Sequence, residues 1–401
     1  MISLNKTLLN DLLSQPTAPF KEGYVLSFLK GILEHHEIPY FLDTHQNLLL
    51  GASSQQEYRA LLKSKKNSPL LIFAAHMDHP GFHGLEWISK KLLQVKWHGG
   101  TPTSHLQGSR VWLQSEYSSQ TQWSGSGKII KAQLTASGRS IESALIELNT
   151  PVDIQLKAAS IMGGFQFKSP VWCEENLIYT HVADDLVGCF SILSLALQYL
   201  SKTSRSKKKR GKFSPLFLGL LTRAEEVGFI GALSHLELGY LSKAQRRVTF
   251  VSLETSRTLP GAEIGKGPIV RLGDRFTVFD AGALRGLIET AEKHLPGKYQ
   301  KRIMDGGSCE ATASSAYGIP SIGISVPLGN YHNQSLEGGP DAAAPGGPAP
   351  EFVAVKDIQG MIDLCEGLIL SKFNWKNPWN NKRKELKVLL NQYKKLLNHS
   401  P

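Results

Sequence analysis

Apolar and polar positions change their period several times along this chain, and the changes divide it. The opening segment MISLNKTLLNDLLSQ spaces its leucines as an amphipathic helix does, and helical periodicity returns in FKEGYVLSFLKGILEHHEIPY, from Phe20 to Tyr40. NLLLGA, from Asn47, is short and strand-like. Leu70 to Ala75 form a continuous apolar run, LLIFAA, that follows Pro69 and stops at His76. It is too short for a helix and predicts a strand buried on both faces. From about Gly84 to Cys173 the runs LLQVKW, SRVWLQ, KIIKAQL and VDIQL are β-like, and Gly, Ser, Thr and Pro clusters separate them. That spacing predicts a small all-β domain, a barrel by preference.

After Asp184 the helical period resumes, with Leu186, Val187, Phe190, Leu193, Leu197 and Leu200 on one stripe. A strand PLFLGLL, a helix beyond Glu226, a strand RVTFVSLE ending at Glu254 and a helix over Ala281 to Leu295 follow. The strand PSIGISVP leads to Asn330, Tyr331 and His332, then to a loop, GGPDAAAPGGPAP, and a helix from Val355 to Leu370. Strands alternating with helices on both sides of a β-rich block predict an α/β fold: a central mixed sheet flanked by helices, with a small β-barrel domain inserted. The expected division is a first catalytic part over 1–83, the β-rich insertion over 84–176, a second catalytic part over 177–375, and a basic amphipathic C-terminal helix over 376–401. In that last helix Leu386, Leu389, Leu390, Tyr393, Leu396 and Leu397 share a face, expected to pack on the chain itself or on a second subunit.

Composition narrows the class. The chain has 401 residues, 41% hydrophobic and 20% charged, as ordinary globular proteins do. No apolar run reaches the ~18 residues a bilayer span needs. The N-terminus carries an acid at Asp11 and no small-residue cleavage site, unlike a signal peptide. Cys173, Cys189, Cys309 and Cys365 are widely spaced and form no CxxC pair, which points to a reducing, cytoplasmic setting and away from a thiolate zinc site. The net charge of +11 gathers in the run Arg205–Lys212 and in the tail beyond Lys372. Neither is interleaved with aromatic residues as a nucleic-acid stacking platform would be, so both read as solvated surfaces, with no nucleic-acid or membrane partner.

The chemistry gathers where apolar strands end. His76 and Asp78 follow LLIFAA, Glu225 and Glu226 follow PLFLGLL, Glu254 ends RVTFVSLE and His332 follows PSIGISVP, while Asp184 and Asp185 precede a helix. In an open α/β sheet the C-terminal strand ends converge on one cleft. Adjacent carboxylates repel unless positive charge lies between them, and imidazole with carboxylate suits a divalent metal, zinc foremost, with cobalt or manganese as competitors. Two histidines and three carboxylates exceed one open tetrahedral site and match two ions sharing a carboxylate, with a neighbouring carboxylate left to move the proton.

The motifs AHMDHPGF, HVADDLVGC, RAEEVGFIGA, LETSRTLPGAEIGKGPIV, GGSCEAT and SVPLGNYHN, in this order, resemble those of the di-metal glutamyl/tetrahedral aminopeptidase family, from about residue 20 to 370. The resemblance implies a metallo-aminopeptidase acting on short peptides and assembling into dimers or larger shells. It implies Glu225 as general base and Asp78 as the residue orienting the first histidine. Of two metal ions, His76, Asp184 and Glu254 would hold one, and Asp184, Glu226 and His332 the other. The chain departs from the family pattern at Leu186, at Glu254 in place of aspartate, at His79–Pro80 and in GNYHN, which lacks the usual arginine. Two rival readings stand beside it. Related di-zinc carboxypeptidases and N-acyl amino acid deacylases share HMD-like and EE motifs, but carry their extra domain after the glutamate pair; here the β-rich block lies before it, between His76 and Asp184. The other rival is a catalytically silent member with a binding or assembly role. GAEIGKGP lacks phosphate-loop spacing and reads as a turn, and Cys309 reads as a buried cysteine, not a nucleophile.

Overall fold

The computed structural model describes residues 2–64, 69–152, 156–201 and 215–397. The basic run Arg205–Lys212 lies outside the described residues. The N-terminal segment forms α1 (Lys6–Leu13), α2 (Gly23–His35), β1 (Tyr40–Leu42), β2 (Leu48–Leu50), α3 (Gln55–Lys63) and β3 (Leu70–His76). Asn5 and Ser54 cap α1 and α3 by accepting from Leu8 and Glu57 N–H. Six strands follow: β4 (Gly81–Ser89), β5 (Leu92–His98), β6 (Arg110–Ser115), β7 (Ser124–Leu134), β8 (Ile141–Leu148) and β9 (Ile161–Phe165). They close an antiparallel barrel in the order β4-β5-β8-β7-β6-β9. Closure leaves no edge strand, and alternate side chains such as Val111, Leu113, Ile129 and Ile146 fill the interior. The hairpin β10 (Val171–Glu174) and β11 (Leu177–Thr180) follows and belongs to a separate three-stranded sheet.

The second α/β part comprises α4 (Leu186–Tyr199), β12 (Phe217–Thr222), α5 (Ile230–Glu237), β13 (Val248–Arg257), β14 (Ile269–Asp274) and α6 (Ala281–His294). It continues through β15 (Gln300–Met304), α7 (Glu310–Ala316), β16 (Ser321–Leu328), β17 (Glu351–Ala354) and α8 (Val355–Ile369) to α9 (Asn380–Leu397). The eight-stranded sheet runs β1-β2-β12-β3-β13-β16-β14-β15. Its centre, β12-β3-β13-β16, is parallel, and antiparallel pairs flank it at β2/β12 and β16/β14. The seven residues of β3 are all buried, as their continuous apolar run predicts.

Two elements differ from the sequence expectation. A one-sided stripe is expected on α4, yet every residue from Leu186 to Ala196 is buried, because the helix is enclosed by β3, α1 and α8. And β13 does not stop at Glu254: it runs on to Arg257, with Glu254 opposite Ser325 of β16.

No residue of α9 is buried, and Leu386, Leu389, Leu390, Tyr393, Leu396 and Leu397 are all exposed. Of the two partners expected for the stripe, the chain itself does not cover it, which leaves a second subunit. Deletion of residues 380–401 is therefore expected to shift the thermal midpoint by less than about 2 °C. Scanning fluorimetry of the two chains checks this, and a larger drop would show that the stripe is covered in a second copy. Among the described residues no helix is long and apolar enough to cross a membrane.

Candidate active site

The parallel centre of the sheet points four strand ends at one place. β3 ends in His76, with Asp78 two residues on, and β12 ends at Thr222, three residues before Glu225. Glu254 projects from β13, and β16 ends at Leu328, close before His332. Asp184 arrives from β11 at the head of α4, which packs on β3. The Asp184–Asp185 peptide is cis. The Asp185 carboxylate caps α4, accepting from Gly188 N–H at 3.1 Å and from Thr255 Oγ1 at 3.0 Å.

Local backbone explains how two adjacent glutamates face one cleft. Ala224 (φ 51°), Gly228 (φ 108°) and Phe229 (φ 60°) are left-handed, so a single 3-10 turn, Glu225–Val227, is folded back between β12 and α5. Left-handed conformations at non-glycine residues need outside support. Two carboxylates supply it. Glu22 accepts from Ala224 N–H at 3.0 Å and from Arg223 Nε at 2.7 Å. Asp78 accepts from the N–H groups of Glu225 (2.9 Å) and Glu226 (3.2 Å). His76 Nδ1 lies 3.0 Å from the Asp78 carbonyl oxygen and 3.7 Å from Asp78 Oδ1. Asp78 thus fixes both the ring of His76 and the turn bearing Glu225 and Glu226.

Asp184 is the centre of the group. Its Oδ1 is 3.5 Å from His76 Nε2 and its Oδ2 is 3.6 Å from His332 Nε2, one oxygen toward each imidazole. Glu226 Oε2 stands 3.2 Å from His332 Nε2, and Glu225 Oε2 stands 3.9 Å from His76 Nε2. Ligand atoms of His76, Asp184 and Glu226 all lie within 4.8 Å of one another. Glu254 sits to one side, with Oε1 3.2 Å from Ser252 Oγ and Oε2 3.9 Å from Arg271 Nη1.

The electrostatics are those of a site short of positive charge. Burial pushes Glu225 well above the usual carboxylate range, and Glu254 and Glu226 add to it. Burial likewise lifts Glu254 to about 8, against the pull of Arg271. On His76 burial opposes a charge, but Glu225 and Asp184 outweigh it and hold the imidazole well above its ordinary value. Burial would also raise Glu226, yet His332 and His76 bring it down to about 2. Asp184 Oδ1 and Glu226 Oε1 are buried and accept no hydrogen bond. A buried carboxylate oxygen without a donor is costly. Divalent ions would satisfy both oxygens and offset the crowding of acids, so these residues fit a metal centre.

Some neighbours carry no obvious signal in the sequence. His79, a departure from the family pattern, has Nδ1 2.7 Å from the Asp184 carbonyl oxygen and Nε2 3.1 Å from Asn333 Oδ1. Glu310, within GGSCEAT, is fully buried, accepts from Thr222 Oγ1, and is lifted by burial to about 7. Glu351 accepts from Ala183, Asp184 and His332 N–H groups. It is a lone acid beside a Pro/Ala-rich stretch, and nothing local marks it. Cys309 is buried, as expected of a packing residue, and all four cysteines are free.

A mixed α/β sheet carrying imidazoles and carboxylates on its parallel strand ends, with a closed antiparallel barrel inserted after the first histidine, is the fold of the zinc-exopeptidase class. The sequence model of the M42 glutamyl aminopeptidase family matches residues 58–337, and the chain belongs to that family. It is a peptidase, and the family implies divalent metals. Solved structures share the fold. Aminopeptidase APDkam598 from the archaeon Desulfurococcus kamchatkensis is 18% identical with a TM-score of 0.68, covering 92% of this chain and 95% of that one. The Pyrococcus horikoshii TET1 peptidase, which can assemble into a tetrahedron or a large octahedral shell, is 17% identical with a TM-score of 0.66, covering 91% and 98%. The M18-family aminopeptidase of Thermotoga maritima is 12% identical with a TM-score of 0.62, covering 91% and 95%. No curated protein sequence matches significantly.

Proposed function

We propose that the chain is a di-metal aminopeptidase that removes N-terminal residues from short peptides. The observation that carries this is Asp184, one oxygen facing each of two imidazoles, with Glu225 and Glu226 held beside them on one braced turn. His76, Asp184 and Glu254 would hold one ion, and Asp184, Glu226 and His332 the other; zinc suits this donor set best, with cobalt and manganese as competitors. When bound, two such ions make water nucleophilic at neutral pH and polarise the peptide carbonyl. Glu225 is assigned the proton: it takes one from the attacking water at a carboxylate oxygen and gives it to the departing amine. Asp78 serves from behind, since metal-bound imidazoles need an acceptor at the other ring nitrogen. The β-rich segment 84–176 is read as governing access and assembly into dimers or a larger shell. The free cysteines suit a cytoplasmic setting.

Purified protein loaded with zinc, cobalt or manganese is expected to cleave aminoacyl-nitroanilides and dipeptides with a free amino terminus, and to leave N-acyl amino acids intact. Acetate release from N-acetyl amino acids would move the assignment to a deacylase. Bound metal without hydrolysis of any panel member would leave a binding or assembly protein.

A further inference from the structure

Glu351 lies at the start of β17 and is fully buried. Its Oε2 accepts from Ala183 N–H at 2.8 Å and from Asp184 N–H at 3.1 Å, and its Oε1 accepts from His332 N–H at 2.9 Å. No cationic side chain is within ion-pair distance of it among the described residues. Three backbone dipoles from two separate segments therefore converge on one carboxylate, and only a group that accepts at both ends can serve them.

The surrounding backbone has the same arrangement. β17 pairs with β11, Thr180 opposite Glu351, just before the segment bearing Asp184. It also bridges Gly329 through Phe352, just before the segment bearing His332. That second segment is held in an uncommon form: Asn330 (φ 52°), His332 (φ 55°) and Asn333 (φ 58°) are all left-handed. Such residues keep their conformation only when neighbours over-determine it. The loop that precedes Glu351 is itself anchored, with Asp341 paired to Arg110 of the barrel at 2.7 and 2.8 Å and accepting from Lys168 N–H at 2.6 Å. This Gly-, Pro- and Ala-rich loop ties the barrel to the strand on which Glu351 stands.

We propose that Glu351 is a positioning residue for the metal centre: it fixes the distance between Asp184 and His332, and so sets the affinity of the ion those two share. The proposal rests on the di-metal reading above. In Glu351→Gln the amide oxygen can keep the two-donor side, which leaves its NH₂ facing the N–H of His332. The His332 flank should loosen while the His76 flank keeps its geometry.

The test titrates metal-free wild type, Glu351→Gln and Glu351→Asp with zinc against a chromophoric chelator, and records the metal-free thermal midpoint of each. Wild type is expected to take up two ions. Glu351→Gln should hold one ion as wild type does and the second about 10- to 100-fold more weakly, with turnover returning at saturating zinc. Glu351→Asp, which keeps both acceptors on a shorter stem, should fall between them. Two ions bound by Glu351→Gln with wild-type affinities would overturn the proposal. So would a lower metal-free midpoint with unchanged affinities, or variants that fold neither with nor without zinc, since either assigns Glu351 to the fold alone. A wild type that binds no zinc overturns the di-metal reading itself, which distinguishes the two failures.

Discussion

Replacing Glu225 by glutamine is expected to lower kcat/KM by about 10³- to 10⁴-fold and to leave the bound metal unchanged. Glutamine keeps the length and volume of the side chain and loses only the capacity to take a proton. The backbone of the turn is unaffected, because the N–H of residue 225 goes to Asp78 Oδ1 whatever side chain it carries. Glu225 and Glu226 are neighbours in sequence but differ in surroundings. Glu226 is 3.2 Å from the His332 imidazole and stays ionised, whereas Glu225, 3.9 Å from His76, is the one that burial drives toward holding a proton. Opposed proton affinities in adjacent acids are what a ligand and a proton carrier require. Turnover on a nitroanilide substrate, with metal content of the same preparation, checks the prediction. Full activity in the glutamine variant would remove Glu225 from the role of base. Loss of metal would make it a ligand.

Much of this arrangement could be read from the sequence because it is local. The fully buried strand Leu70–His76 shows as an unbroken apolar run, and the ligand-capable residues stand at or just beyond such runs. The inserted barrel is visible through its short strands and turn clusters, since a closed antiparallel barrel needs a turn every few residues. The end of β13 was harder to place. Glu254 looks like a terminus because a charge interrupts an apolar run, yet β16 continues to pair with β13 through Arg257. The bracing roles of the buried acids are not legible in the sequence, even for Glu310, which lies inside the motif GGSCEAT. Glu22, Glu310 and Glu351 are far in sequence from what they hold, and a lone acid in a helix or strand reads as a solvated charge. Only the tertiary structure turns Glu22 toward Ala224, or Glu351 toward Asp184 and His332. The same holds for α9, whose helical stripe is plain in the sequence although nothing in the sequence says what it faces.

Asp184→Asn has the other large effect, and it acts on two measurements in opposite directions. Among the described residues Asp184 is the one carboxylate within 4 Å of both imidazoles, at 3.5 and 3.6 Å, so on the di-metal reading its loss would remove a shared ligand and not one of several. The variant is expected to bind at most one ion by elemental analysis and to lose turnover to background, with no recovery on adding zinc, cobalt or manganese. Its metal-free form is expected to melt above metal-free wild type. One negative charge fewer relieves Asp185, Glu254 and Glu351, buried acids whose carboxyls the Asp184 charge pushes up. Metal-loaded wild type should melt above both, since an ion held at a thousandfold above its dissociation constant adds about 4 kcal/mol. The order of midpoints is then loaded wild type, asparagine variant, metal-free wild type. A fold role alone for Asp184 would put the variant last. Two ions retained with normal turnover would show that Asp184 does not bridge, and would leave His76 and His332 serving separate sites.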